Sequence, residues 1–225
     1  MEARAPLVEP VVRRSLADLA YDKLHLAVID GALTPGQRLS DATLAGQLGM
    51  SRAPVREAIS RLESAGLVVS KAGYGWSVIE FSDADIEEIY SLRASYEAFA
   101  AERAALRITP EQIETLGDLI VKMDEESATG TWRNVLKLDM QFHEGMVRAA
   151  DHARLLHSWQ RLRDQIILVA GLTAQLLYRD LRDARRHHAP LLHALRTHDA
   201  QSATTIAREH VLSVHKLLMK RRASG

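Results

Sequence analysis

The stretch from Asp41 to Leu67 constrains the fold of this chain more than any other, because its pattern predicts two short helices joined by a tight turn. Gly49 favours the left-handed conformation that ends a helix, and the Ser51 hydroxyl can accept a hydrogen bond from the amides that begin the next one. Apolar residues recur with helical spacing in both helices. They are Leu44, Ala45 and Leu48 in the first helix, and Val55, Ala58, Ile59 and Leu62 in the second.

The exposed side of the second helix begins with Arg52 and Arg56, which lie one turn apart near its N-terminus. In a helix-turn-helix, that end of the second helix reaches base edges in the major groove of DNA. A helical hairpin with two solvated arginines shows the same short pattern, so the stretch alone leaves both interpretations open. The choice between them depends on the residues after Leu67.

A β-hairpin is predicted directly after this helix, which ends at Gly66. Two strand-like runs, at 67–69 and 76–79, flank the segment KAGYG, whose glycines suit the positive φ values of a hairpin turn. A hairpin in this position is a wing. A helix predicted at Leu16–Asp30, the helix-turn-helix and the wing together indicate a winged-helix DNA-binding domain over residues 15–80.

The same segment resembles the DNA-binding domain of the GntR family of bacterial transcription regulators. The residues that carry the resemblance are Gly31, Pro35-Gly36, Leu39, Leu44-Ala45, Ser51-Arg52, Pro54-Val55-Arg56-Glu57, Leu62 and Gly66-Leu67. The resemblance implies that Ser51, Arg52 and Arg56 lie at operator DNA and that the wing tip, around Gly73, enters the minor groove. Ala42 departs from the family, which often has a basic DNA-contacting residue there, so the resemblance does not identify an operator sequence.

Composition limits the class of protein. With 47% hydrophobic and 26% charged residues, the 225-residue chain is typical of a globular protein of one large or two modest domains. Without cysteine it has neither disulfides nor thiolate metal sites. No apolar run approaches the ~20 residues that span a bilayer and no signal-peptide pattern is present, so we expect a cytoplasmic protein without membrane contact. The formal net charge of zero requires that any DNA contact come from a local cluster.

Residues 1–14 contain two prolines and little periodicity, and we interpret them as a flexible tail. Residues 81–225 show helical periodicity only, which predicts an all-helical domain. The predicted helices are Asp83–Leu106, Thr109–Ser127, Thr131–Ala150, Ala153–Leu172, Gln175–His198 and Ala200–Arg222. Pro190 is expected to kink or offset the fifth of them. The expected fold class is mainly α, with a winged helix-turn-helix and its small β-hairpin wing preceding a bundle of about six helices.

One set of polar residues in the helical domain indicates a metal site. Asp139 and His143 are four residues apart and share a helix face, while His188 and His210 each lie about 11 residues from the turn predicted near Asp199. Three imidazoles and a carboxylate suit a divalent ion such as zinc, nickel or manganese. The chain has ten histidines, so core histidines, surface histidines or a chance alignment explain the same spacing.

Residues 86–218 resemble the FCD effector domain of the FadR subfamily within the GntR family. The resemblance is carried by Asp139-x-x-Phe142-His143, His188 with Leu192 and Leu195, Asp199, Ala203 and His210. The metal ligands that it implies are Asp139, His143, His188 and His210. It also matches Arg93 and Glu97 to the first helix of the effector domain. His152 and His187 stand where the family often has Asn and Glu, and we interpret both as supporting or surface residues.

These features predict a transcription regulator of the GntR/FadR type that binds a pseudo-palindromic operator as a homodimer. A small organic acid, as the family's effectors often are, is expected to bind the metal through its carboxylate and to gate DNA binding. Arg93 is the candidate partner for that negative charge. An ion pair with Glu97, one turn along the same helix, explains this arginine equally well.

Two other functions fit the same residues. Three histidines and an aspartate with open coordination positions suit a metal-dependent hydrolase or lyase. Glu144, the nearest candidate base, adjoins His143 and therefore points off the ligand face, so we predict a regulator and not an enzyme. In the other alternative the protein is still a regulator, but the metal ion is itself the signal or a structural staple.

Overall fold

The computed structural model describes residues 14–71, 73–177 and 184–223. The chain divides into two compact units, Met1–Ile79 and Glu80–Gly225. The tail predicted at residues 1–14 lies outside the described residues except for Arg14. Among the helices that are described, none is long and apolar enough to cross a bilayer.

In the described part of the first unit, three helices supply most of the buried apolar residues. They are α1 at Leu16–Ile29, α2 at Asp41–Leu48 and α3 at Arg52–Ser64. Gly49 has a φ of 63°, and its N–H bonds to the carbonyl of Ala45, so it ends α2 as predicted. Ser51 precedes α3, but its hydroxyl makes no capping hydrogen bond, so that expectation was wrong. Ser51 is exposed, and water can serve the first amides of α3 instead.

The wing belongs to a three-stranded antiparallel sheet with the order β1-β3-β2. Its strands are β1 at Arg38–Leu39, β2 at Val68–Lys71 and β3 at Gly75–Val78. Leu39 pairs with Trp76 across the sheet. The hairpin was predicted and β1 was not, because a strand of two residues has no alternation of its own and forms only by pairing with β3.

The second unit is helical throughout its described residues. Its helices are α4 at Asp83–Ala105, α5 at Pro110–Thr129, α6 at Trp132–Ala149, α7 at Ala153–Leu177, α8 at Ala184–Arg196 and α9 at Ala200–Arg222. These six confirm the predicted bundle, and Pro190 lies inside α8. The predicted break after Leu172 was wrong. The helix α7 continues to Leu177 because residues 173–177 include neither glycine nor proline. Residues 178–183, inside the predicted Gln175–His198 helix, lie outside the described residues.

Local polar contacts fix where these helices begin and end. Ser82 and Asp85 form a capping box at the start of α4. At the corner between α8 and α9, His198 adopts the left-handed conformation with a φ of 57°. Its Nδ1 lies 2.7 Å from the carbonyl oxygen of Ala105, the last residue of α4. This contact ties the corner to the end of α4.

The core of the second unit combines small and large apolar side chains. Alanines of α4 let neighbouring helices approach closely, and Phe142 and Trp159 are fully buried beside them. The buried polar or charged side chains of the described residues are Arg93, Glu97, Ser127, His143 and His188. All of these except Ser127 meet in one cluster within the bundle. A buried polar cluster in an otherwise apolar core is a candidate functional site.

Candidate DNA interface and candidate metal centre

Arg52 and Arg56 stand at the start of α3, one turn apart, with side chains that are 62% and 60% exposed. The opposite face of the helix, including Val55 and Ile59, is buried in the unit. This burial turns the arginines outward. The structure therefore brings the two arginines that were predicted to bind DNA onto the exposed N-terminal turns of a helix.

Asp41, the first residue of α2, contacts both arginines. Its carboxylate oxygens each lie 3.0 Å from Nη2 of Arg52, and Oδ2 lies 3.8 Å from Nε of Arg56. The hydrogen bonds from Arg52 hold the pKa of this carboxyl below its ordinary value. Sequence reasoning missed Asp41, because the contact crosses the turn between two helices. The only signal was an acidic residue at the first position of a helix that precedes two arginines.

The wing tip is exposed. Gly73 has a φ of 78°, which favours glycine, and apart from its neighbours in the chain no described residue has an atom within 4 Å of the position that a Cβ would take. The neighbouring Tyr74 is 70% exposed. Nε of Arg38 donates to the Tyr74 carbonyl at 2.7 Å, and its guanidinium lies 5.9 Å from the centre of the Tyr74 ring. Arg38 was missed as well, because its place at the wing depends on β1.

Four side chains in the second unit converge at one point. Asp139 and His143 come from α6, His188 from α8 and His210 from α9. Their candidate donor atoms all lie within 4.8 Å of one another. The three imidazole rings have centroids 4.7–5.5 Å apart. The four residues named from the sequence are thus neighbours in space, and one carboxylate with three imidazoles is a donor set that divalent transition metals accept.

The donor atoms of this cluster fit a metal ion. Oδ1 of Asp139 lies 3.0 Å from Nε2 of His188 and 3.7 Å from Nε2 of His143. The longer distance exceeds that of a hydrogen bond, and this Nε2 is buried with no hydrogen-bond partner among the described residues. Burying a ring nitrogen in this way costs free energy, which coordination to a cation would offset.

Glu97, on α4, supports the cluster from behind. Its Oε2 lies 2.7 Å from Nδ1 of His143, and its Oε1 accepts from Nε of Arg93 at 2.8 Å and from Nε1 of Trp159 at 3.1 Å. A carboxylate at one ring nitrogen keeps the proton there and leaves the lone pair of the other nitrogen for a metal. The side of His143 that faces Asp139 is therefore the side suited to coordination.

The electrostatics of the cluster favour a cation. Burial alone would raise the pKa of Glu97, but Arg93 and His143 hold it below the ordinary value. Although burial opposes a charged imidazole, Glu97 and Asp139 raise the pKa of His143 to about 9. Burial and the two neighbouring imidazoles keep the pKa of His210 well below its usual range. The carboxylates are thus ionised and His210 is neutral, as metal binding needs, and a bound cation would take the place of the second proton that Glu97 and Asp139 favour on His143.

The remaining candidates lie outside the set of four. Arg93 is 3% exposed and forms the ion pair with Glu97 that the sequence offered as an alternative. Nδ1 of His152 accepts from the backbone N–H of Leu155 at 3.1 Å. His187 is exposed. Neither of the two extra histidines therefore belongs to the group of donors that converge.

Comparison with known proteins gives the same division of the chain. Residues 10–78 match the bacterial regulatory proteins of the gntR family, and residues 88–213 match the FCD domain. The chain belongs to the GntR family. It is 29% identical over 205 residues to the probable D-xylose utilization operon transcriptional repressor of Paenarthrobacter nicotinovorans. This match covers 91% of this chain and 87% of that protein. It is 27% identical over 190 residues to the gluconate operon transcriptional repressor of Bacillus subtilis, with 80% and 75% covered.

The fold of this GntR-family chain is shared with McbR/YncC of E. coli. The TM-score is 0.81 at 24% identity, and the match covers 93% of this chain and 100% of the other. The two family matches and the repressors among its relatives show that the chain is a bacterial transcription regulator with an FCD domain, the class that the sequence predicted in preference to an enzyme. Glu144, the candidate base of the enzyme alternative, accepts hydrogen bonds from Arg148, Gln160 and Arg163.

Proposed function

We propose that this GntR-family regulator binds operator DNA as a homodimer in the cytoplasm, and that a small organic acid controls this binding. The acid binds at a divalent metal ion held in the helical unit. One observation carries the proposal: a carboxylate and three imidazoles, with donor atoms within 4.8 Å of one another, converge in the FCD half of a DNA-binding regulator.

The DNA contacts proposed for each copy come from the start of α3 and from the wing. Arg52 and Arg56 contact bases or phosphates in the major groove, Ser51 lies beside them, and the wing tip at Gly73 enters the minor groove. A bidentate arginine–guanine pair discriminates against the wrong base by about 1–3 kcal/mol. Two copies related by a two-fold axis read the two halves of a pseudo-palindrome.

The metal proposed for the helical unit is zinc, nickel or manganese. Its ligands are Asp139, His143, His188 and His210. When bound, the ion supplies a positive anchor for the carboxylate of the effector. The chain prepares the site through Glu97, which orients His143, and through the packing that excludes bulk water around both. A relative from Bacillus subtilis represses a gluconate operon, and gluconate is an organic acid of the proposed class.

Arg93 is the second proposed anchor for the negative charge of the effector. Its Nε–H is used by Glu97, and its guanidinium lies 5.8 Å from the centre of the Tyr90 ring. A guanidinium has five N–H donors, so one hydrogen bond to Glu97 does not exhaust it. The ion pair and the effector contact are therefore compatible. In this proposal Glu97 holds Arg93 in place and the effector uses its other donors.

Gating requires that the effector bind one arrangement of the protein more tightly than the other, since equal affinity shifts nothing. To test it, duplexes bound by the metal-loaded protein are first selected from a random library. The affinity for the resulting consensus duplex is then measured with gluconate and a panel of small organic acids. We expect at least one acid to change the Kd by about 5- to 150-fold, in metal-loaded protein only.

The variant His188→Ala separates the outcomes. We expect it to bind the consensus duplex and to lose the response to the acid. If removing the metal changes the Kd to the same extent with no acid present, the ion itself is the signal. If neither acids nor chelation changes the Kd, gating at this site is refuted while operator binding stands.

A further inference from the structure

The carboxylate of Asp41 lies between the two arginines that the proposed function uses at DNA. Nη2 of Arg52 is 3.0 Å from both carboxylate oxygens, Nε of Arg52 is 3.3 Å from Oδ2, and Nε of Arg56 is 3.8 Å from the same oxygen. The arginines are more than half exposed, whereas the aspartate side chain is only 12% exposed. A mostly buried carboxylate thus contacts two outward-facing guanidinium groups.

We propose that Asp41 is a specificity-determining residue that positions Arg52 and Arg56 before DNA arrives. The inference rests on the proposed contacts of these arginines with the operator. A free arginine side chain loses several rotatable bonds when it binds, whereas one that is already oriented loses fewer. Two-point contact with a carboxylate fixes the plane of the Arg52 guanidinium, and bidentate reading of a guanine depends on that plane.

Arg56 is held from a second side. Its guanidinium lies 5.7 Å from the centre of the Trp76 ring, on β3 of the wing. Nε1 of Trp76 in turn lies 3.4 Å from a carboxylate oxygen of Glu63, near the end of α3. Arg56 is therefore placed between the carboxylate of Asp41 and an aromatic ring. This arrangement restricts the directions in which its charge can point.

The sign of the Asp41 charge argues for specificity over affinity. A carboxylate beside the DNA-facing arginines repels phosphates and offsets part of the positive charge that drives binding to any sequence. The contacts with Arg52 hold the pKa of Asp41 below its ordinary value, so the group is ionised at neutral pH. Binding through charge alone is weakened, whereas binding that uses the orientation of the arginines is favoured.

A matched control lies in the same unit. Asp18, in the first turn of α1, forms an ion pair of 2.8 Å with Arg61, which also belongs to α3. Arg61 is nine residues after Arg52, and at 100° per residue this places it on the opposite side of the helix. The variant Asp18→Asn therefore removes the same charge from a helix start and an α3 arginine without touching Arg52 or Arg56.

The test compares two duplexes, the consensus selected from a random library by the wild-type protein and a scrambled duplex of the same composition. Kd is measured for both with the full chain. For Asp41→Asn we expect the ratio of the two affinities to fall by at least tenfold, while binding to the scrambled duplex is unchanged or tighter. For Asp18→Asn we expect a ratio within twofold of wild type. Unfolding cannot tighten binding to scrambled DNA, so this result separates positioning from a structural role.

The variant Asp41→Glu covers the case in which Asp41→Asn does not fold. It keeps the charge at the start of α2 and displaces the carboxylate by one methylene, and we expect an intermediate ratio. Equal weakening on both duplexes, or a ratio equal to wild type in both Asp41 variants, overturns the inference. If the Asp41 inference fails in this way but Arg52→Ala and Arg56→Ala still lower the ratio of the two affinities, the proposed DNA contacts stand. If these two variants also leave the ratio unchanged, both proposals fall.

Discussion

The two candidate sites of this chain are held in opposite ways. At the start of α3, two exposed arginines contact the carboxylate of Asp41, and phosphates or bases can reach the arginines without disturbing any core. In the bundle, the ring of His143 is fully buried between Glu97 and Asp139, so these contacts lie in the packed layer between α4 and α6. An exposed site of the first kind suits reading a partner, while a buried site of the second kind suits converting ligand binding into a change of packing.

The largest effect should come from removing one member of the buried set. His143→Ala leaves three of the four proposed ligands and should reduce metal content from about one ion per chain to a small fraction, because chelation by a fixed set is lost. Metal analysis of protein purified without an affinity tag measures this. His157→Ala, at an exposed position on α7, is the control. Equal metal content in the two variants would refute the site.

At the exposed site, truncating one arginine should weaken operator binding while leaving the fold intact. Arg52→Ala or Arg56→Ala removes a proposed base contact worth about 1–3 kcal/mol, which corresponds to roughly 5- to 150-fold in Kd for the consensus duplex. Arg61→Ala, on the opposite side of α3, should change the Kd less than threefold. Equal effects of all three would mean that α3 contributes only general charge, and the contrast between the sites would be lost.

A substitution of Glu97, which contacts His143 but is not itself a proposed ligand, tests whether this carboxylate raises the metal affinity of the cluster. In Glu97→Gln the amide can donate to Nδ1 of His143, which moves the imidazole proton to the nitrogen that should bind the metal. Loss of such a supporting carboxylate typically lowers metal affinity by about 10- to 100-fold. Competition with a chelator measures this, at a temperature where circular dichroism shows the variant folded. Glu102→Gln, an exposed change on the same helix, should leave the affinity as it was.

The smallest expected effect is a pH-dependent loss of stability in the DNA-binding unit. The Arg61 and Ser15 contacts lower the pKa of Asp18 to about 2, against ~3.9 in an unfolded chain. This stabilisation is complete above the unfolded pKa and is lost as the pH falls through the folded one. Asp18→Asn should lower Tm only slightly at pH 7, because an exposed ion pair contributes little to stability, and the difference should shrink between about pH 5 and pH 2. A constant gap at all pH values would contradict the assignment.

How far the sequence predicts each site depends on whether the residues that meet there are close together in the chain or far apart. The helix-turn-helix and the hairpin are local patterns, so the sequence predicts their helices and turns, including the left-handed conformation of Gly49. Asp41 and β1 were not legible, because each acquires its role by meeting a distant segment. In the bundle the spacing and the resemblance named all four converging residues, but the role of Glu97 depends on the packing of α4 against α6. The end of α7 was placed too early, at Leu172, although residues 173–177 contain no glycine or proline that would end a helix.

One corner of the bundle has a consequence for protein engineering. His198 occupies a left-handed position, where replacement by glycine is the usual way to relieve backbone strain. Here the imidazole also holds the carbonyl of Ala105 at 2.7 Å, and the corner sets how α8 and α9 run alongside each other. A stabilised variant designed from backbone angles alone would therefore relax the residue but remove the side chain that joins this corner to the end of α4.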